Sequence, residues 1–250
     1  MNYLLKQFKM RNVKATFFVL GTIAESLPDL IRRIATEGHE IASHGWSHTP
    51  IHKLTPQDFT NEIKRCVDYT YRITGVRIIG FRAPIFSITR KTLWALNVLA
   101  ENNFHYDSSI FPFRGTRYGI PDFPRFPVQM EWGHYRLMEI PMSTLVGFGR
   151  NWPVSGGGYF RLLSYPLIRK AFKKINSEGL PFITYLHPYE FESQPLRYTS
   201  RGSFHSLKWW KLRFFEFQQN FRRRGMRYKL ERLLEEFRFG TVQYLLNATD

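Results

Sequence analysis

Two histidines four residues apart, His44 and His48, are the first place in this sequence where residue types and spacing could do chemistry. They close the stretch Gly38-His39-Glu40-Ile41-Ala42-Ser43-His44-Gly45-Trp46-Ser47-His48, in which Glu40-Ile41-Ala42 follows a glycine turn and reads as a buried strand. If the chain after Ser43 makes one helical turn, both imidazoles project from the same side, about 6 Å apart at their Cβ atoms. Two imidazoles so placed can share one divalent ion, because each N–metal bond is only about 2 Å long. By spacing alone, a pair of surface histidines beside Trp46 fits the pattern as well. Three later stretches carry further candidates: Arg82-Ala83-Pro84, Tyr106-Asp107-Ser108-Ser109 and Leu186-His187-Pro188. Taken singly, Arg-Ala-Pro reads as a strand-end turn and Asp-Ser-Ser as a capped loop.

The elements between them supply the reason to group them. Residues 1–12 read as the tail of an amphipathic helix, with Asn12 at its C-terminal cap. Val13 to Gly21 is a short apolar strand closed by glycine, and Leu27-Pro28-Asp29 starts a helix that Gly38 stops. Thr55-Pro56-Gln57-Asp58 starts another, with Phe59, Ile63, Val67 and Tyr71 expected inward. Val76 to Phe81 is a strand ending at Arg82, and Thr89 caps a helix from Arg90 to Asn102. Strand alternating with helix predicts an α/β fold, a parallel sheet with helices outside it, as a barrel or a doubly wound sheet. Working residues in such folds stand at the C-terminal ends of strands, where His44, Arg82 and Asp107 fall. Residues 111–160 read as long ordered loops with a strand-like Leu137–Pro141, ending in a Gly triplet that marks a tight loop and no phosphate cradle. A helix over about Leu167–Ser177 then leads into a strand, Phe182 to Leu186, that delivers His187.

Composition narrows the partners. The formal net charge of +16, from 36 Lys and Arg against 20 Asp and Glu, favours an anionic contact. Nucleic acid is disfavoured, since no zinc-finger spacing, phosphate loop or RNA-binding aromatic signature occurs. The single cysteine, Cys66, lies in a helical pattern and reads as a small packed residue. No leader-like apolar region and no run of about 18 apolar residues stands in the sequence, which sets a cytoplasmic expectation. Residues 191–250 form a basic, aromatic C-terminal extension to a core of residues 1–190. Trp209, Trp210, Phe214, Phe215, Phe217 and Phe221 alternate there with Lys and Arg. One reading packs these aromatics on the core with the charges solvated; the other makes the region a contact for an anionic polymer or a membrane surface.

Five stretches in order carry a resemblance: Ala15–Gly21, Glu37–His48, Phe81–Pro84, Tyr106–Ser109 and Leu186–Pro188. The series resembles the polysaccharide deacetylases of the NodB-homology, carbohydrate esterase 4 type. Gly156-Gly157-Gly158-Tyr159-Phe160-Arg161 and Phe237-Arg238-Phe239-Gly240 look like the branch associated with exopolysaccharide biosynthesis and exosortase gene clusters. The resemblance implies a distorted (β/α) barrel that holds one divalent ion, most commonly Zn2+, and removes acetyl groups from an N-acetylated polysaccharide. His44 and His48 match two ligands of its Asp-His-His metal triad. His187 matches the catalytic acid, Asp107 the carboxylate that tunes it, and Arg82 the arginine that orients the basic aspartate. Leu186 falls in the apolar wall for the acetyl methyl group, and Pro84 and Trp46 in the substrate-binding surroundings. These roles suit amide hydrolysis, which needs an activated water, an oxyanion stabiliser and an acid for the leaving amine.

One motif of the family is missing. A strand ending in a Thr-Phe-Asp-Asp type sequence should precede the first helix and supply the third metal ligand and the base. The sequence opens inside that helix, so the barrel is expected to lack its first strand and the metal to keep two protein ligands. The expectation is that the true start lies upstream of Met1 and that the 250 residues alone have little or no activity. The competing expectation is a non-catalytic, degenerate relative that binds an anionic glycan.

Overall fold

In the computed structural model, which describes residues 1–198 and 209–247, packing divides the chain into two units. The helical unit comprises Met1–Arg11 and Val154–Arg238; the sheet unit comprises Asn12–Pro153 and Phe239–Asp250. The C-terminal extension expected over residues 191–250 is described except for 199–208 and 248–250, which lie outside the described residues.

The chain opens with α1 (Asn2–Met10) in the helical unit and enters the sheet unit at Asn12, whose φ of +51° makes the turn that ends the helix. β1 (Thr16–Val19) is followed by α2 (Gly21–Ser26) and α3 (Pro28–Thr36), then by β2 (Glu40–Ser43) and α4 (Pro56–Thr74). β3 (Gly80–Phe81), α5 (Trp94–Glu101) and β4 (Tyr106–Asp107) complete the alternation. β1, β2, β3 and β4 pair in parallel, with Thr16 opposite Glu40, Ser43 opposite Phe81 and Phe81 opposite Asp107. The expected α/β fold with a parallel sheet is therefore present. The strand order β1-β2-β3-β4-β6-β5 is linear, and no closure into a barrel is seen among the described strands.

Local sequence explains these elements. Thr55 and Asp58 form a reciprocal cap at the start of α4, and Gly75 ends it with a φ of +69°. Its buried face is Phe59, Ile63, Cys66 and Thr70, whereas Tyr71 is exposed. A strict four-residue step drifts off the face of a 3.6-residue helix, so the expected inward stripe through Val67 and Tyr71 gives way to Cys66 and Thr70. Phe59 packs edge-on against Phe81 at 5.3 Å and Trp94 at 6.0 Å. Burying a side chain of this size contributes roughly 1.5–3 kcal/mol. Cys66 is the small packed residue expected; burial pushes its thiol up.

The stretch read as long loops contains two hairpins instead. β5 (Val128–Trp132) pairs antiparallel with β6 (Tyr135–Glu139), and β7 (Thr144–Gly147) with β8 (Arg150–Pro153). β6 also extends the main sheet, with Asp107 opposite Glu139. Each hairpin turns through two residues, Gly133-His134 and Phe148-Gly149, the short glycine-bearing connection that tight hairpins use.

The helical unit resumes with α6 (Gly157–Leu162) and α7 (Tyr165–Ser177) and continues in α8 (Trp209–Asn220) and α9 (Met226–Glu236). The strand expected over Phe182–Leu186 is not formed; only a single parallel bridge joins Tyr185 to Gly156. Lys229 of α9 is buried and donates to the carbonyls of Phe160 at 2.6 Å and Leu163 at 2.7 Å, closing the C-terminal end of α6. On α8, Leu212 and Glu216 are buried, while Trp209, Trp210, Phe214 and Phe217 are exposed. The expectation that these aromatics pack inward does not hold at those four positions. The chain ends in the sheet unit with α10 (Val242–Asn247), whose Gln243 N–H donates to Glu40 Oε2 at 3.0 Å.

Candidate active site

His44 follows directly on β2, whose four residues are all buried. Its backbone N–H donates to the Val19 carbonyl at 2.8 Å, continuing the β1–β2 ladder by one step. Beyond it the chain makes a bend with Gly45 at φ +80° and His48 at φ +63°, not the helical turn expected. Two left-handed positions in five residues break any helix. They nonetheless bring the imidazoles together, with ring centroids 5.3 Å apart.

Three contacts hold this bend. Glu62 of α4 accepts from the N–H groups of Trp46 and Ser47, both at 2.9 Å, and from the Ser47 hydroxyl at 2.8 Å. The first N–H groups of α2, on Gly21 and Thr22, donate to the carbonyls of Gly45 at 2.9 Å and Trp46 at 3.1 Å. The Trp46 ring is buried, with the Arg65 guanidinium 3.7 Å from its centroid and Tyr69 edge-on at 5.9 Å. A Cβ on Gly21 would stand 2.1 Å from Trp46 Cε3, so glycine is required there for the indole to lie down. Trp46, expected beside substrate, is thus occupied in packing. Glu62 was missed in the sequence because a lone glutamate on a helix face carries no signal of its loop partner.

His44 Nδ1 lies 2.6 Å from the Arg82 carbonyl oxygen. A carbonyl can only accept, so Nδ1 carries the proton and Nε2 carries the lone pair of the neutral ring. That is the tautomer in which a histidine coordinates through Nε2 with its other nitrogen oriented by a backbone oxygen. His44 is therefore suited by its tautomer to one position of a divalent-metal site, with the His48 ring beside it. Among the described residues no group of three His, Cys, Asp or Glu side chains is placed to hold a metal ion.

The motifs around Arg82 and Asp107 are one assembly. The buried Arg82 donates from Nε to the Ser108 carbonyl at 2.8 Å and from Nη2 to Ser108 Oγ at 2.7 Å. Its guanidinium lies 4.1 Å from the centroid of the Phe18 ring. Ser109 Oγ accepts from the Ala83 N–H and donates to Asp107 Oδ1 at 2.6 Å, and the Ser109 N–H donates to Oδ2 at 3.0 Å. Pro84 is buried at the start of a single 3-10 turn, Pro84–Phe86, in which Ile85 and Phe86 both adopt positive φ, +48° and +53°. A β-branched residue in that region is a backbone outlier.

Asp107 and Glu139 are both fully buried on neighbouring strands. Burial raises both carboxyls above the ordinary carboxylate range, and the charge of Asp107 raises Glu139 further. Asp107 receives the two Ser109 donors, while Glu139 receives the Ile110 N–H at 2.9 Å. Asp107, with the more hydrogen-bond donors, is the better-stabilised carboxylate, and Glu139 is the one pushed further towards its protonated form.

His187, Leu186 and the rest of their stretch belong to the helical unit. The His187 ring is half exposed between Tyr185, edge-on at 5.7 Å, and Tyr189, stacked at 5.3 Å. Leu186 is half-buried. Within this unit the carboxylate beside His187 is Glu190, whose Oε2 lies 3.5 Å from Nδ1 and accepts the His187 N–H at 2.8 Å. The spacing His187-Pro188-Tyr189-Glu190, three residues apart across a proline-led turn, is the signal from which this pair could have been found.

Comparison with known proteins gives this geometry a context. The polysaccharide deacetylase family model matches residues 1–104, and a domain of unknown function, DUF3473, matches residues 108–247. The chain is 37% identical over 102 residues to a peptidoglycan-N-acetylglucosamine deacetylase of Bacillus cereus, a match covering 40% of this chain and 36% of that protein. It is 36% identical over 89 residues to a chitin deacetylase of Colletotrichum lindemuthianum, covering 34% and 36% respectively. The chain thus spans 36% of the length of each of these curated relatives. A solved structure from Mycobacterium smegmatis, assigned to the polysaccharide deacetylases, superposes over 99% of this chain and 75% of its own with a TM-score of 0.64. At 20% identity that likeness speaks for the fold. One model accounts for the histidine-bearing N-terminal part and the other for most of the remainder: the chain carries a polysaccharide deacetylase domain over residues 1–104 and belongs, through residues 108–247, to the family that shares the DUF3473 domain.

Proposed function

We propose that this protein is a metal-dependent hydrolase that removes N-acetyl groups from an amino-sugar polysaccharide, with an exopolysaccharide as the substrate class. The observation that carries the reading is the His44–His48 pair, with His44 held in its Nε2 lone-pair tautomer by the Arg82 carbonyl. Both residues lie in the part matched by the deacetylase family model, whose members are generally metal-dependent. His44 and His48 would hold the ion, with zinc suited to an imidazole set. By the family resemblance, the third ligand and the base come from the Asp-Asp motif that this sequence does not contain. Bound, the ion supplies a Lewis acid for the acetamide carbonyl and a water of lowered pKa.

The chain's own residues would supply the rest of the chemistry. Arg82 and the Asp107-Ser108-Ser109 clip fix the carbonyl that orients His44. Hydrolysis adds the water oxygen to the acetyl carbon and breaks the C–N bond, and by the family resemblance His187 would deliver the proton that lets the nitrogen leave as an amine. Leu186 would contribute apolar surface for the acetyl methyl group. Substituting either His44 or His187 by alanine in the protein isolated from its own cells should abolish acetate release from a polymer of N-acetylglucosamine. Survival of activity in either variant refutes the assignment.

The exposed aromatic face of α8 supports a second contact. Trp209, Trp210, Phe214 and Phe217 alternate with Lys211 and Arg213 on a chain of net charge +16, which suits an anionic polymer or lipid surface. Co-sedimentation with anionic vesicles and with an acidic glycan, with and without Trp209→Ser and Trp210→Ser, tests it; no loss of binding on substitution overturns it.

A further inference from the structure

The glycine-rich run Gly156–Arg161 and the turn His187–Glu190 are far apart in sequence and meet within the helical unit. Gly156 bridges in parallel to Tyr185, with the Gly157 N–H donating to the Tyr185 carbonyl at 3.1 Å and the Tyr185 N–H to Ser155 at 2.8 Å. A Cβ on Gly156 would stand 1.9 Å from the Tyr185 carbonyl oxygen, and its φ of +144° is itself glycine territory. The triplet therefore lets two backbones run in contact just before His187.

The run ends at Arg161, which is buried and donates from Nη1 to Glu190 Oε1 at 3.1 Å, to Gln219 Oε1 at 3.3 Å and towards the Tyr189 hydroxyl at 3.5 Å. Tyr189 in turn donates to Gln219 at 2.8 Å. Glu190 is fully buried, so Arg161 anchors one of its oxygens while the other accepts the His187 N–H and lies 3.5 Å from His187 Nδ1. Capping a turn does not need a charge: a neutral amide oxygen accepts a backbone N–H equally well. Burying a carboxylate with its guanidinium carries a desolvation penalty that a neutral cap avoids. The charge has a use if the residue beside it must carry a proton.

We propose that Glu190 and Arg161 are positioning residues for His187, holding its ring between Tyr185 and Tyr189 with the Glu190 carboxylate beside Nδ1. The proposal rests on the reading of His187 as the acid of the deacetylation. It also gives the glycine-rich run a purpose, since that run brings Arg161 to Glu190.

Glu190→Gln keeps the shape and the oxygen that caps His187 but removes the charge. Two numbers are read in wild type and variant: kcat and KM for acetate release, and the rate at which diethyl pyrocarbonate modifies His187. Mass spectrometry of the peptides gives that rate relative to the exposed His52 and His134. The expected result is a fall in kcat of about tenfold or more with KM within about twofold, and a severalfold faster relative modification of His187. A kcat and a relative modification rate that both match wild type overturn the proposal and leave Glu190 as a turn cap. If wild type itself releases no acetate, the deacetylase reading fails, and the modification rate alone decides this proposal. Arg161→Lys, which keeps the charge but loses the fork, is the second variant should Glu190→Gln not fold. It should shift the same two numbers in the same direction, and wild-type values for both would equally overturn the proposal.

Discussion

Replacing Glu139 by glutamine should change how stability depends on pH more than stability itself. Glu139 and Asp107 are fully buried on paired strands, and the nearby Arg82 spends donors on Ser108. Both carboxyls titrate above their ordinary values, because burial penalises the second charge. The folded chain therefore keeps a proton that the unfolded chain gives up near pH 4. Where the native state binds the extra proton, stability falls as pH rises, from about pH 4 up to the folded-state titration, and is flat beyond it. One proton sets a slope of at most about 1.4 kcal/mol per pH unit. Two like charges about 5 Å apart at an effective dielectric of about 20 repel by roughly 3 kcal/mol, which sets the scale of the effect. Glutamine keeps the oxygen that accepts the Ile110 N–H and removes the group that titrates. Between pH 8 and pH 5 wild type should thus gain about 1–3 kcal/mol more than Glu139→Gln, with the two nearly equal at the acidic end. Urea unfolding across that range, with unchanged m-values, reads the difference directly. Identical pH slopes, or a variant weaker by more than about 3 kcal/mol at pH 5, would mean that Glu139 is ionised in the fold.

Two other predictions concern the bend that carries the histidines. Gly21→Ala drives a methyl group to within 2.1 Å of the Trp46 ring and should cost about 1–3 kcal/mol, visible as a lowered urea midpoint and altered near-ultraviolet circular dichroism. Wild-type values for both would show that Trp46 can move aside. Glu62→Ala removes the acceptor for two backbone N–H groups and one hydroxyl, and should cost about 1.5–3 kcal/mol. It should also weaken zinc binding measured by competition with a chromophoric chelator, and unchanged zinc affinity would show that the bend holds without it.

Much of this was legible in the sequence where local rules act alone. The cap at Thr55 and Asp58, the stop at Gly75 and the strand leading to His44 follow from propensity and patterning. So does the alternation that makes a parallel sheet. What failed depended on partners distant in sequence. The residues after Ser43 looked helical by histidine spacing, but Glu62 and the start of α2 pin them in a bend. Phe182–Leu186 has the apolar look of a strand, yet only Tyr185 finds a bridge. The hairpins at Gly133 and Gly149 were missed because their flanking strands mix apolar and charged residues without clean alternation. At the site, residue types were readable and pairings were not. Asp107 faces Glu139 within its own unit, and Glu190 stands beside His187, neither of which a motif reveals.

The most direct test of the account is acetate release from N-acetylglucosamine oligomers by the protein isolated from its own cells, before and after stripping with a chelator and after zinc is restored. Activity should disappear on stripping, return with zinc, and fail to return in His44→Ala. Acetate release indifferent to the chelator, or glycan binding with no acetate release at any metal loading, would contradict it.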